Sequence, residues 1–335
     1  MYVKYLFIGM RTLVCGILAV AMLPSASAGR GLSGSNPDRS ADNSAVAGCS
    51  NETGTDIFAI PVRVTSRDLR IVVSLKQSDF TVTDDHLPQR VCGFAHARQP
   101  VSLGILLDTS GSMSYTFDGL AVAKAAINQV LDTSGPKDEY FLEHVNARPS
   151  MQCIFRSDLA CLRAGLQAVP RGTTALIDAL LVAVGAMRRA QHANRALLVI
   201  SDGYENDSKY AISQLTRTVS AFPVPIFFVV VSDHWARWRR DFHSLEEASM
   251  QKRMIDFVNQ SGGYSLDVSG VSKKKMLAAV AELAEAIRSP YILYLAKPKR
   301  SDASPFRHLR VEVKGQSRQH RVFYRGAYRV PSSSQ

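Results

Sequence analysis

Two aspartates stand where strand-like runs end. Asp108 follows the apolar run Val101 to Leu107, and Asp202 follows Ala196 to Ile200 with only Ser201 between. Ser110 and Ser112 add two hydroxyls, two residues apart, in a loop that contains Gly111. Gly172-Thr173-Thr174-Ala175-Leu176 supplies a further hydroxyl patch ahead of a helical pattern. Carboxylates and hydroxyls are hard oxygen donors, and the chemistry they share is the binding of a hard divalent cation. Mg²⁺ takes six oxygens in a near-octahedral shell at about 2.0–2.1 Å, keeps several waters, and often uses only one or two protein carboxylates. Mn²⁺ and Ca²⁺ are alternatives that these residues do not separate. Neutral hydroxyls leave such an ion under-neutralised, so an acidic group from outside can complete its shell. Without a cation the two carboxylates repel each other, and ion binding is expected to order the loops.

The elements that must position these groups alternate between strand and helix. Val101 to Leu107, Ala196 to Ile200 and Ile226 to Val231 are continuous apolar runs, as expected of strands buried on both faces. Between and after them, Leu120, Ala123, Ile127, Val130 and Leu131 keep helical spacing. So do Ile212, Leu215, Val219 and Phe222, and then Met276, Val280, Leu283 and Ile287. Such alternation predicts an α/β domain with a mostly parallel sheet covered on both faces. Sheets of this kind bind ligands beyond the carboxyl ends of their strands, which is where both aspartates fall. Leu142 to Val145 and Gln152 to Phe155, joined through Arg148-Pro149, predict a hairpin at the sheet edge.

Both flanks of this domain change to period two. Ile71, Val73 and Leu75 alternate with Arg70, Val72 and Ser74, and Phe80-Thr81-Val82-Thr83 is another strand-like run closed by the turn residues Asp84-Asp85-His86. Near the carboxyl end, Leu309, Val311 and Val313 alternate with Arg310 and Glu312, and Arg321 to Tyr328 predicts one further strand. Neither flank can bury a core alone. The expectation is one small β module formed by the two flanks together, beside the central domain.

The three central segments resemble, in order and spacing, the metal-ion-dependent adhesion site of von Willebrand factor type A domains. The match comprises Asp108-Thr109-Ser110-Gly111-Ser112, Gly172 to Leu176 and Ser201-Asp202-Gly203. The resemblance implies a doubly wound, Rossmann-like sheet. It also implies direct coordination by Ser110 and Ser112, coordination by Thr174 directly or through water, and water-bridged roles for Asp108 and Asp202. Thr174 rather than Thr173 takes this role because it immediately precedes Ala175-Leu176. An acidic side chain of a partner protein would take the open position. Ser78 to Asp85 with Pro88-Gln89-Arg90, and Phe323-Tyr324-Arg325-Gly326-Ala327-Tyr328, are similar to the flanks of the exported bacterial "VWFA-related" group first defined in acidobacteria. His86 stands where that group usually has glycine, and Ala327 is one residue more than its closing Arg-x-Gly-Tyr pattern. The expected organisation is a signal peptide over 1–28, a flexible linker over 29–56, an amino-terminal β region over 57–98, the type A domain over 99–290 and a carboxyl-terminal β region over 291–335.

Several classes are excluded or disfavoured. Lys4 and Arg11 flank a short apolar stretch, Thr12 to Leu23, that is followed by Ala26-Ser27-Ala28. The stretch is short of the roughly 20 residues a spanning helix needs, so it reads as a cleaved export signal, and the protein as periplasmic or secreted. Four cysteines then remain, Cys49, Cys92, Cys153 and Cys161, a number that suits disulfides in an exported chain. Sequence proximity favours Cys153 with Cys161, leaving Cys49 with Cys92; zinc-site spacing is absent. The net charge of +11 becomes +9 without Lys4 and Arg11. Most of that excess lies from Tyr291 onward, where ten Lys or Arg stand against two acids. This block reads as the solvated face of a small sheet rather than a nucleic-acid surface, since no nucleic-acid-binding motif accompanies it.

Familiar enzyme motifs are absent: there is no Gly-x-Ser-x-Gly elbow, P-loop or His-Glu-x-x-His. The expected function is therefore non-enzymatic, an adhesion-type module gripping an acidic residue of a partner. The alternative is a structural subunit of an envelope complex in which the metal site is secondary. Tyr115, Phe117, Tyr204, Glu205 and Asn206 flank the loops and are candidates for partner choice, since function concentrates on loops. Asp233 reads as a cap or loop acid, and His234 to Arg240 as a helix with its tryptophans inward.

Overall fold

Fourteen strands and seven helices cover the described part of the chain. The structure, a computed structural model, describes residues 57–115, 118–231, 245–296, 306–315 and 319–329. The expected signal peptide and linker, Cys49, Phe117, Asp233 and the stretch from His234 to Arg240 lie outside those residues. Four strands come first: β1 (Ile57–Ser66), β2 (Phe80–Asp84), β3 (Leu87–Gln89) and β4 (Val91–His96). The central domain follows with β5 (Ser102–Asp108), α1 (Ser112–Tyr115), α2 (Gly119–Asp132), β6 (Glu139–Val145), β7 (Ser150–Arg156), α3 (Ala160–Gly165) and α4 (Leu176–Ala186). It continues with β8 (Arg195–Ser201), α5 (Ile212–Ala221), β9 (Ile226–Val230), α6 (Leu245–Gln260), β10 (Ser265–Asp267) and α7 (Lys273–Arg288). Four strands close the chain: β11 (Tyr291–Ala296), β12 (Phe306–Val313), β13 (His320–Phe323) and β14 (Ala327–Arg329).

The central sheet has the order β10-β9-β8-β5-β6-β7. Every pairing in it is parallel except β6 with β7, the edge hairpin the sequence predicts. All seven residues of β5 are buried, and each face of the sheet has its own core. Leu103, Ile105 and Leu107 face α2 and α7, and Leu106 faces α4 with Phe141 and Val199. That two-sided burial is why the strands read as unbroken apolar runs. Cys153 and Cys161 form a disulfide between β7 and α3. Cys92 is also disulfide-bonded, but the expected Cys49 partner lies outside the described residues.

The flanking strands do join, and they form two sheets rather than one. β13-β1-β11-β4 and β14-β12-β2-β3 enclose a shared core of Ile60, Val62, Val64, Phe80, Val82, Leu293 and Val311, among others. Two expectations are corrected here. The alternating stretch from Arg70 to Leu75 is not a strand: it makes one isolated bridge, Thr65 with Ile71. Its backbone is held instead by side chains, with Glu282 accepting Ile71 N at 2.9 Å and the Tyr291 hydroxyl bonded to Val72 O and Leu75 N. Arg321 to Tyr328 is likewise two strands, β13 and β14, which belong to different sheets.

Two arginines fasten this module to the central domain. Arg63 of β1 is fully buried and donates through Nε to Ala286 O at 2.9 Å, near the end of α7, where carbonyls lack helical partners and the dipole favours a cation. Its guanidinium also lies 5.1 Å from the Phe227 ring centroid. Arg325 donates to Ser220 O at 2.8 Å, near the end of α5. Within the module, Tyr328 donates to the buried Asp84 carboxylate at 2.8 Å, and Arg307 lies 3.0 Å from the same group. No helix among the described residues is long and apolar enough to cross a membrane.

Candidate functional site

Strand order reverses between β5 and β8. From β5 the sheet grows through β6 to β7, and from β8 it grows the other way through β9 to β10. A doubly wound sheet opens a crevice at such a reversal, beyond the carboxyl ends of the strands. Asp108 ends β5, and Asp202 follows the last residue of β8.

Three loops meet there and are tied to one another by hydrogen bonds. In the first, Asp108 Oδ1 accepts Ser110 N at 2.8 Å, and Asp108 Oδ2 accepts the Ser201 hydroxyl. Thr109 N and Oγ1 both donate to Val145 O, at 2.8 and 3.2 Å, which anchors the loop to β6. Gly111 N donates to Gly172 O at 2.8 Å, joining the first loop to the second. A Cβ on Gly111 would lie 3.2 Å from that same oxygen, a tight contact that would push the two loops apart by a few tenths of an ångström. Thr174 in the second loop donates from N to Asn206 Oδ1 at 2.8 Å and accepts Asn206 N at O at 3.0 Å, joining the second to the third. In the third, Gly203 takes φ of +86°, a conformation that favours glycine, and donates to Ser201 Oγ at 2.9 Å.

These bonds bring Asp108, Ser110, Ser112, Thr174 and Asp202 to one end of the sheet. The Ser110 and Ser112 hydroxyl oxygens are 3.0 Å apart. Thr174 is buried, whereas Thr173 is exposed and donates its hydroxyl to Asp207 at 2.6 Å. Both aspartates are buried. Burial and the neighbouring Asp108 charge push the Asp202 carboxyl up to about 7, with the Ser112 hydroxyl and the Tyr204 N–H opposing. Asp108 is also raised, by burial first, against hydrogen bonds from Ser110 and Ser201. Asp202 Oδ2 has no hydrogen-bond partner among the described residues. Among the described residues no three His, Cys, Asp or Glu side chains cluster as a metal-binding group, so the donors here are two carboxylates and several hydroxyls.

Glu205 and Asn206, two of the flanking residues, make hydrogen bonds within the loops. Glu205 Oε2 accepts Ile177 N at 2.9 Å and the Ser208 hydroxyl at 2.7 Å, which caps the start of α4. Asn206 is engaged by Thr174. Tyr204 is half-buried. Two residues gain a role that the sequence does not announce. Ser201, inside a recognised segment, bridges Asp108 and Gly203. Glu143 on β6 is wholly buried, neither of its carboxylate oxygens has a hydrogen-bond partner among the described residues, and burial pushes it up to about 8. Its place in an apolar strand, between Leu142 and His144, is the one signal that could have found it.

The fold and the three loops define a doubly wound α/β domain with a hydroxyl-and-carboxylate site at its switch point. Residues 103–205 match the family model of the von Willebrand factor type A domain. The match spans the central sheet from β5 to the loop after β8 and suggests a protein–protein interaction module. No curated protein matches the sequence. Solved structures similar to it include the conserved hypothetical protein BatB from Bacteroides thetaiotaomicron, at 18% identity and TM-score 0.44, covering 56% of this chain and 98% of that one. A von Willebrand factor type A protein from Catenulispora acidiphila is similar at 10% identity and TM-score 0.45, covering 83% and 74%. The PilB minor pilin from Streptococcus sanguinis is similar at 12% identity and TM-score 0.41, covering 57% and 62%.

Proposed function

We propose that the protein is an exported, non-enzymatic binding module that holds an acidic residue of a partner protein through a divalent cation, Mg²⁺ or else Mn²⁺ or Ca²⁺. The observation that carries this reading is the pairing of two buried carboxylates, with Asp202 Oδ2 unpartnered, beside the Ser110 and Ser112 hydroxyls. Two buried like charges hold each other's ionisation back, and a cation between them removes that penalty. Ser110 and Ser112 would hold the ion directly, Thr174 directly or through water, and Asp108 and Asp202 mainly through water. The bound ion would supply a Lewis-acidic position for an incoming carboxylate. The hydroxyls of Ser110 and Ser112 contact each other, and His144 and His192 bond to backbone carbonyls elsewhere, which supports binding over nucleophilic catalysis. The Cys153–Cys161 disulfide supports export to an oxidising compartment.

The test is thermal unfolding with and without Mg²⁺. A ligand that binds only the folded state raises the melting temperature. The rise is expected in the natural protein and is expected to vanish in Asp108→Ala and Ser112→Ala; a rise that persists in Asp108→Ala overturns the metal assignment. Capture of partners from an envelope extract, with and without EDTA, separates this reading from a scaffold role. Capture that ignores EDTA favours the scaffold.

A further inference from the structure

We infer that the partner offers two acidic groups, one to the cation site and a second, within a few residues, to Arg148 and Arg171 on the flank of that site. The inference rests on the metal-dependent reading above. Both arginines are exposed, and neither side chain has an ion pair or hydrogen bond among the described residues. Both belong to segments that touch the site. Arg171 donates its backbone N–H to Thr109 O at 2.8 Å and directly precedes Gly172, which receives Gly111 N. Arg148 donates its backbone N–H to Asn146 Oδ1 at 2.9 Å, and Asn146 in turn accepts Ala175 N and lies 3.4 Å from the Thr109 hydroxyl. A Cβ on Gly172 would lie 3.9 Å from that of Ala147, so the two arginine-bearing turns meet.

The chemistry favours a carboxylate. A guanidinium offers a planar fork of N–H donors that matches carboxylate geometry, and neither one here is taken up by an acid among the described residues. Val169, two residues before Arg171, is an exposed apolar side chain, 77% accessible. Asp207 carries the opposite charge and is engaged by the Thr173 hydroxyl at 2.6 Å.

The experiment uses an array of synthetic peptides carrying one or two aspartates, probed with the full protein in Mg²⁺, in EDTA, and at low and high salt. Peptides with two aspartates should bind about fivefold more tightly than those with one, the scale of one or two exposed ion pairs. That preference should vanish in Arg148→Ala/Arg171→Ala, return only in part in Arg148→Lys/Arg171→Lys, which keeps the charge without the fork, and fade as salt rises. Equal binding of both peptide classes in Mg²⁺, or binding of neither, overturns the inference. Two-aspartate binding that is unchanged by EDTA overturns the underlying metal reading instead, because the arginine flank would then act alone.

Discussion

The Ser201 hydroxyl donates to Asp108 Oδ2 across the junction of β5 and β8 and accepts Gly203 N at 2.9 Å. One buried side chain thus sets the orientation of the first aspartate and the turn that carries the second. Ser201→Ala removes a hydrogen bond to a buried carboxylate and leaves Gly203 N without its acceptor. The expected loss of stability is about 2 kcal/mol, the scale for a hydrogen bond to a charged group. Urea unfolding measures it. An unchanged midpoint would mean the bridge contributes nothing to the fold.

Glu143 makes stability depend on pH. Its folded-state carboxyl is pushed up to about 8 from the ordinary value of 4.5, so the folded protein keeps a proton that the unfolded chain releases. Stability attributable to this group is therefore fully present below about pH 4.5 and is lost as pH rises to about 8, at up to roughly 1.4 kcal/mol per pH unit. Glu143→Leu, which keeps the volume and removes the charge, should flatten that fall. Unfolding midpoints of the two proteins at pH 5, 7 and 8.5 give the comparison. Asp108 and Asp202 contribute a slope of the same sign, which the difference between the proteins cancels. Parallel curves would refute the role given to Glu143.

The site is legible in the sequence because its signal is local. Asp108, Ser110 and Ser112 lie within five residues, and Thr174 and Asp202 each sit in a short segment beside a strongly patterned element. The central strands are legible because burial on both faces leaves few polar residues to interrupt them. Partnerships formed over long sequence distances are not. Val73 alternates correctly for a strand yet is 51% exposed, because its segment pairs with the Glu282 and Tyr291 side chains instead of a neighbouring strand. Glu205 looks like a loop acid open to a partner, and only the fold reveals the Ile177 N–H that it caps. Glu143 is marked in the sequence only as a charge inside an apolar strand, and its complete burial is seen only in the fold.

The turn between β2 and β3 carries a strain that can be relieved. Asp85 and His86 take φ of 47° and 69°, the left-handed pair of a type I′ turn, and glycine suits the second position. His86 is exposed, and no hydrogen bond of its side chain is present among the described residues. His86→Gly should stabilise the protein by about 0.5–1 kcal/mol, the left-handed penalty less the extra freedom of an unfolded glycine. Asp85→Gly should not, because Asp85 accepts His308 N at 2.8 Å and lies 3.3 Å from Arg307 Nε. Melting temperatures of the two variants should move in opposite directions; a fall in both removes the strain argument.

The Cys153–Cys161 disulfide closes a short loop between β7 and α3, with a sequence separation of 8. Chain-entropy arguments give a loop of this size about 2.5 kcal/mol of stabilisation. Its consequence reaches the site, because the chain leaving α3 runs directly into Arg171, Gly172 and Thr174. His144 adds a second restraint on α3 through its contact with Gly165 O at 2.7 Å. Cys153→Ala/Cys161→Ala leaves the Cys92 disulfide in place, which a reducing agent would not. The double variant should lose about 2 kcal/mol in urea unfolding, and the segment between Asp158 and Arg171 should become the first site of proteolytic cleavage. Protection of that segment equal to the natural protein's would show that packing of Leu162 and Leu166, both buried, holds α3 without the disulfide.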